Sequence, residues 1–516
     1  MLSPAPYDQL CQGFDWALPA QLNMAAQVLD HPASDLAIRD LGAGQEVSFG
    51  QLRDMAASLA AALVERGVER GDRIAVLRSQ DAWCAAAHIA IWWIGAISVP
   101  LFKLFKHDAL ATRLKDSGAA YVIVDEQGAG LLGPIETAVI RAEDVPLGRG
   151  GEAPEMARTT PEDAAVLIYT SGTTGSPKGA LHGHRVLTGH LPGVEMSHDF
   201  LGRKDDVIWT PADWAWIGGL FDVLMPGLAL GVPVVAARMT KFNAQDCARI
   251  IAQGHVRNVF FPPTALRMLK AADMQIKGLR SVASGGEPLG SEMLAWGRRA
   301  FGVEINEFYG QTECNMVASS CGASFQAQGG CIGRPVPGHE LAVIDEAGAM
   351  CEGEGDIAIR RGSASMMLGY WQNPDATAQK FRGDWMVTGD RGIWEGAYLR
   401  FIGREDDVIT SAGYRIGPAE VEDCLLTHAA VATVGVVGKP CALRTEIVKA
   451  YVVLKSGKTT TQAELQDWVK SRLASYSYPR EIAFLEALPM TVTGKVIRKE
   501  LKARAAAELD AAELEQ

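Results

Sequence analysis

Between Tyr169 and Gly179 the chain reads YTSGTTGSPKG. Thr170, Ser171, Gly172, Thr173, Thr174 and Gly175 bring hydroxyls and little bulk, and Lys178 adds a cation. Such a loop has many free backbone N–H groups and can close tightly around phosphate oxygens. The apolar run Ala165–Ile168 ahead of it reads as a buried strand. The spacing is not that of a Walker A loop, because Pro177 precedes the lysine and Gly179 follows it. Nor is it a Rossmann fingerprint. Taken alone, a Gly/Ser/Thr surface turn fits the same composition.

Four further segments follow in order: YGQTE at Tyr309–Glu313, TGD at Thr388–Asp390, GREDDVITSAGYRIGPAEVE at Gly403–Glu422, and TVTGKVIRKEL at Thr491–Leu501. Together with the first loop, they resemble the motifs of the adenylate-forming superfamily: acyl-CoA synthetases, adenylation domains and firefly-type luciferases. The chain looks most like the medium-chain and benzoate-type branch, and the resemblance covers essentially its whole length. It implies an acid:CoA ligase. ATP and a carboxylic acid would give an acyl-adenylate and pyrophosphate, and the thiol of CoA would then displace AMP. In that chemistry charge builds on phosphoryl oxygens, so fixed cations and N–H groups are the main catalytic resource.

The resemblance also implies roles. Lys495, on the glycine-supported turn of TGK, matches the lysine that bridges carboxylate and α-phosphate. Thr312 matches a contact to the α-phosphate and Glu313 the carboxylate that holds magnesium; one carboxylate plus phosphate oxygens is ordinary magnesium chemistry. Tyr309 is expected to pack on adenine, with Gly285, Gly286, Glu287 and Pro288 lining its other side and Glu307 among the nucleotide contacts. Asp390 matches the carboxylate that accepts the ribose hydroxyls, Arg404 a ribose contact, and Arg415 an arginine that reaches phosphate. Asp406 falls on the family's hinge, and Gly413 where bulk would obstruct the pantetheine tunnel. Where relatives often carry a lysine before the Pro479–Arg480 pair, this chain has Ser477.

For the acyl pocket, PADWAWIGGLF at Pro211–Phe221 aligns with the family's acyl segment, which makes Trp214, Trp216, Ile217 and Gly218 candidates. An aromatic run of this kind also reads simply as core. In acetate-specific relatives a tryptophan directly precedes QTE and truncates the pocket. Here that position is Gly310, so the expected acid is larger than acetate: medium-chain or aromatic.

Composition fits this expectation. The chain has 516 residues, 48% hydrophobic and 21% charged, as in a globular protein with a large core. A net charge of −12 gives no basic footprint for nucleic acid. Nine cysteines without zinc spacing read as reduced thiols, hence a cytoplasmic protein. No signal peptide is evident in MLSPAPYDQL. Ala85–Phe102 and Ile217–Ala237 approach the ~18–20 residues of a membrane span. Their glycines, prolines and polar residues favour a buried helix, turn and strand instead. His182, His184 and His190 match no zinc signature and read as a helix start carrying polar histidines.

The elements that must position these residues alternate. Val47–Phe49 reads as a strand, and Gln51–Arg66 as a helix with Leu52, Met55, Leu59 and Leu63 on one face. Strands are expected at Arg73–Leu77, Ile97–Pro100 and Ala120–Val124, with helices from Asp81 and at Asp108–Asp116 between them. Repeated units of this kind imply layered α/β sheets. Asp125–Asp163 reads as a long surface connection. The α/β rhythm resumes with strands at Val207–Trp209, Val232–Ala236, Asn258–Phe261 and Leu279–Ser284. From Leu341 to Ile409 the pattern is strand-rich, as in a small β-barrel-like part. After Asp406 comes a compact α+β unit ending in a helical tail. The expected division is therefore an adenylation domain over 1–404 that holds the ATP and acyl sites, then a small mobile domain over 405–516 with its hinge at Asp406.

Two other functions share these motifs. One loads the acyl group onto a carrier-protein thiol; the other is a non-catalytic nucleotide or acyl-CoA sensor. Intact Lys495, Glu313 and Asp390 argue against the sensor. The oligomeric state and the natural acid are left open.

Overall fold

The computed structural model describes residues 2–148, 153–170, 178–404, 407–411, 414–441, 444–473, 477–491 and 494–514. It is a mixed α/β protein: a large N-terminal portion of layered sheets, followed by a smaller α+β unit.

Among the described residues two large sheets carry the first portion. In a nine-stranded sheet, Ile305–Gln311, Ser281–Gly285, Asn258–Phe260, Ile208–Trp209, Val234–Ala236 and Leu36–Asp40 are adjacent and parallel. Cys314–Ser319 and Gln45–Ser48 pair antiparallel outside them. In a seven-stranded sheet, Ala164–Thr170 pairs parallel with Ile97–Pro100 on one side and antiparallel with Lys178–Gly183 on the other. The helix Ala82–Trp93 is apolar nearly all round and packs within the largest core, as a helix without a solvent face must. Asp81 caps it by accepting from the Cys84 N–H.

Two local expectations need correction. Ser48 caps a helix that already begins at Phe49, with Gln51 completing a capping box, so the strand stops at Ser48. The stretch from Asp125 is not a bare connection. Asp125 accepts from the Gly128 N–H to start the helix Glu126–Leu131, and Ala138–Arg141 adds a parallel edge strand beside Tyr121–Val124. Its glycines and prolines disguised both elements.

The strand-rich part is a five-stranded antiparallel sheet in which Trp385–Glu395 pairs with Tyr398–Arg404 and with Gly355–Arg360. The small unit has its own sheet and its own core of Val421, Leu425, Val436, Val452 and Leu465. Asp407 is tied to that unit's last helix by Lys502 at 2.9 Å and Arg498 at 3.9 Å. Among the described residues no helix is long and apolar enough to cross a membrane. The two apolar stretches weighed as spans break into Ala82–Trp93 and Ile97–Pro100, and into short helical turns followed by Val234–Ala236.

Candidate active site

The parallel strands of the large sheet end side by side, and chain leaving such ends lines the usual ligand crevice of an open α/β sheet. Gly285 is registered against Phe308, so the Gly286–Pro288 loop and Tyr309 emerge together. A Cβ on Gly285 would lie 2.5 Å from the Phe308 ring, and Gly286 has φ +99°, so both positions demand glycine.

Asp390 and Arg404 face each other across the antiparallel ladder, with Arg404 Nη1 3.4 Å from Asp390 Oδ1. The Tyr309 hydroxyl donates to Asp390 Oδ2 at 2.5 Å. Burial pushes the Asp390 carboxyl above the usual carboxylate range, and Arg404 and the Tyr309 hydrogen bond oppose that rise. Thr312 and Glu313 form the turn between Ile305–Gln311 and Cys314–Ser319. Glu313 Oε1 accepts from the Tyr370 hydroxyl at 2.5 Å, while the Lys178 ammonium lies 5.4 Å from the same tyrosine ring. Lys178 and Thr170 are directly paired, so the two ends of the phosphate-loop sequence are held together beside Glu313.

Lys495 is buried. A Cβ on Gly286 would lie 3.7 Å from both its Nζ and the edge of Trp216. Burial holds its ammonium below the ordinary lysine range, an effect opposed by the charges of Glu287 and Asp390. Its turn is closed by the Thr491 N–H on Lys495 O at 2.7 Å and the Lys495 N–H on Thr491 Oγ1 at 3.0 Å. Gly494 has φ +82°, and a Cβ there would meet Thr264 Oγ1 of the large portion at 2.8 Å. The Thr264 hydroxyl donates to Gly494 O at 3.2 Å, docking the turn on the end of the sheet.

The expected residues Lys495, Gly286, Trp216, Tyr309, Asp390 and Arg404 therefore converge. Glu287 accepts from Arg267 at 2.7 Å, and Glu307 is buried beneath the loop, its carboxyl pushed up to about 8 by burial and by Asp423. Ser171, Gly172, Thr173, Thr174, Gly175, Asp406, Gly413 and the Arg415 side chain lie outside the described residues. Glu313 offers a single carboxylate, and among the described residues no group of three or more His, Cys, Asp or Glu side chains could hold a metal. That donor set fits magnesium only as an ion carried on phosphate oxygens.

Three readings change. Trp214 is buried in the main core, whereas Trp216 stands beside Gly286 and packs on Phe260 at 6.2 Å, which in turn packs on Phe308 at 5.2 Å. Gly310 leaves no hollow: a Cβ there would lie 2.4 Å from Asn315 Oδ1 and 2.5 Å from the Met316 N. A tryptophan at 310 would have to displace the neighbouring strand. The histidines are not a polar helix start. His182 lies on the strand Lys178–Gly183, His190 lies inside the helix Val186–Ser197, and all three are fully buried.

The sequence reading missed Tyr370 and Lys380. Lys380 is buried enough to hold its ammonium below the usual range, and it feels Glu313 and Asp390 on one side, Arg404 and Lys178 on the other. Neither residue sits in a spaced motif, and only folding brings them to the site.

The chain matches the family described as AMP-binding enzyme over residues 24–371 and that family's C-terminal domain over 420–495. It is 32% identical to the acetyl-coenzyme A synthetase of Bacillus subtilis, over 96% of this chain and 94% of that protein. It is 33% identical to the human mitochondrial acyl-coenzyme A synthetase ACSM4, over 94% and 91%. Among solved structures, an anthranilate CoA ligase complexed with anthranoyl-AMP superposes with a TM-score of 0.85, at 27% identity over 97% of this chain and 100% of that one.

Proposed function

The chain belongs to the AMP-binding enzyme family, and from that premise we propose that it joins a medium-chain or aromatic carboxylic acid to CoA through an acyl-adenylate. It is an AMP-forming acid–thiol ligase that uses ATP and CoA. The observation that carries the reading is the convergence of Lys495, brought in by the small unit, on Gly286 and Trp216 of the large one.

In this reading Tyr309 and the Gly285–Pro288 loop hold adenine, and Asp390 with Arg404 holds ribose. Lys178, Lys380 and the phosphate loop hold the triphosphate. Glu313 supplies the protein's carboxylate to magnesium, which when bound neutralises phosphate charge. The Lys495 ammonium sits between the carboxylate and the α-phosphate. The carboxylate oxygen attacks phosphorus, the bond to the β-phosphate oxygen breaks, and pyrophosphate leaves. The small unit then turns about Asp406 and carries Lys495 away. The CoA thiol loses its proton and attacks the acyl carbon, and AMP leaves. Domain movement of this kind is a common way to separate two half-reactions.

Trp216, Phe260 and Phe308 support an acid with an apolar body. The cytoplasm is the proposed compartment. The test is ATP- and CoA-dependent pyrophosphate release across C2–C12 fatty acids and benzoates. Turnover of an acid larger than acetate supports the reading. Turnover of acetate alone overturns the proposed acid, and release without any CoA dependence overturns the ligase.

A further inference from the structure

Behind Gly310 three polar side chains from three separate elements meet in an otherwise apolar core. Asn315, on the strand Cys314–Ser319, is 5% exposed; Asp222, in the turn Leu220–Leu224, is 3% exposed; His190, on the helix Val186–Ser197, is fully buried. Asn315 Nδ2 donates to both carboxylate oxygens of Asp222, at 2.9 and 3.0 Å. His190 Nδ1 lies 3.1 Å from Asp222 Oδ1 and 3.1 Å from Phe221 O. The helix is pressed on the strand: a Cβ on Gly193, three residues beyond His190 and on the same face, would lie 2.4 Å from the Met316 Cβ.

This arrangement fixes which end of the amide points where. Both Asp222 oxygens face Asn315, so its NH2 must face Asp222 and its carbonyl must face away. The carbonyl points to Gly310, the residue directly before Gln311–Thr312–Glu313, and among the described residues no donor reaches it. Unlike His190 Nε2, that oxygen is not sealed in the core, so it can accept from a bound molecule. Apolar side chains of similar volume would fill this space without the desolvation of three polar groups.

We infer that Asn315 reads the acid: its Oδ1 accepts a hydrogen bond from a hydroxyl or amino group on the part of the substrate remote from the carboxylate. Asp222 and His190 are positioning residues that stop the amide from turning over. The substrate class is thus a carboxylic acid with an apolar body, which fits against Trp216, Phe260 and Phe308, and a hydrogen-bond donor at its far end. Gly310 takes a different part from the one its missing side chain suggests. It leaves the space that the Asn315 carbonyl occupies, 2.4 Å from where a Cβ would sit. The inference rests on the ligase reading above and goes one step further.

The test compares kcat/KM of the whole enzyme for matched acids: benzoate against its 2-, 3- and 4-hydroxy and amino derivatives, and octanoate against 8-hydroxyoctanoate. At least one donor-bearing acid is expected to exceed its plain parent by about ten- to a hundredfold, the scale of leaving a buried acceptor unpaired. Asn315→Leu should bring that ratio near one, with the donor-bearing acid losing far more than its plain parent. Asp222→Asn should lower the same ratio mainly through KM, because either end of the Asn315 amide can then face it. Plain acids that equal every donor-bearing partner in the wild-type enzyme overturn the inference, and so does a ratio that survives Asn315→Leu. The wild-type comparison decides even where a variant folds poorly. Absence of AMP formation with every acid would instead overturn the ligase reading itself.

Discussion

Lys495 acts through a charge, and its surroundings set the pH at which it carries one. Burial lowers its pKa from the ordinary lysine value of about 10.4. The working form is the cation, so raising pH through that lowered value removes it. kcat/KM, which reports the free enzyme, should therefore fall on an alkaline limb that begins below the normal lysine range. Lys495→Arg should move the limb upward, because a guanidinium stays charged; an unmoved limb assigns it to another group. Lys495→Ala should cut pyrophosphate release by ~10²–10⁴-fold, the scale of a central electrostatic contact. Thioester formation from supplied acyl-adenylate should be largely spared. Near-normal pyrophosphate release by the alanine variant would remove Lys495 from the mechanism.

At the scale of elements, the short turn that carries Lys495 depends on Gly494. Its φ of +82° disfavours any side chain, and Thr264 Oγ1 stands 2.8 Å from where a Cβ would sit. Gly494→Ala combines backbone strain with a clash, each worth roughly 1–3 kcal/mol, so adenylation should slow by about tenfold or more. The thioester step should change much less, and equal loss in both steps would mean that the turn serves folding alone. Chemistry carried by contiguous, spaced residues was legible in the sequence: TGK, QTE and TGD each sit on one turn or strand end. Most strands were legible too, because apolar runs such as Arg73–Leu77 are bounded by clear turn residues. Partnerships between distant elements were not. Tyr370 reaches Glu313 only because Gly369–Tyr370 pairs with Ala180–Leu181, and no local pattern announces that pairing. Gly310 misled for a related reason: an absent side chain says nothing of what fills its place until Asn315 is seen there. The buried histidines misled because polarity suggests exposure, whereas His190 is enclosed by Phe221 and Asp222.

For the whole molecule, the proposed mechanism needs a small unit that docks for one half-reaction and leaves for the other. Docking sets Asp423 against Gly290, within 2.9 Å of where a Cβ would lie; burial holds the Asp423 carboxyl up at about 7, and the nearby Asp423 charge adds to the burial that holds Glu307 up at about 8. A carboxyl raised by docking keeps its proton where the undocked one has released it. Rising pH from the ordinary carboxylate value of about 4 up to these raised values should therefore weaken docking, with no further effect above them. Asp423→Asn should hold adenylation a few-fold higher near pH 8, measured as pyrophosphate exchange; a profile parallel to wild type would show that Asp423 does not gate docking. Asp406→Pro fixes φ near −65° at the proposed pivot and removes an N–H. One half-reaction should survive it far better than the other, and equal survival would move the hinge elsewhere. Oxygen isotopes test the acyl-adenylate route most directly. With a turned-over acid labelled by ¹⁸O in both carboxylate oxygens, ATP and CoA, the acyl-adenylate route leaves one ¹⁸O in AMP and one in the thioester carbonyl. Label in AMP is the predicted result; unlabelled AMP, or label in inorganic phosphate with ADP formed, would contradict it.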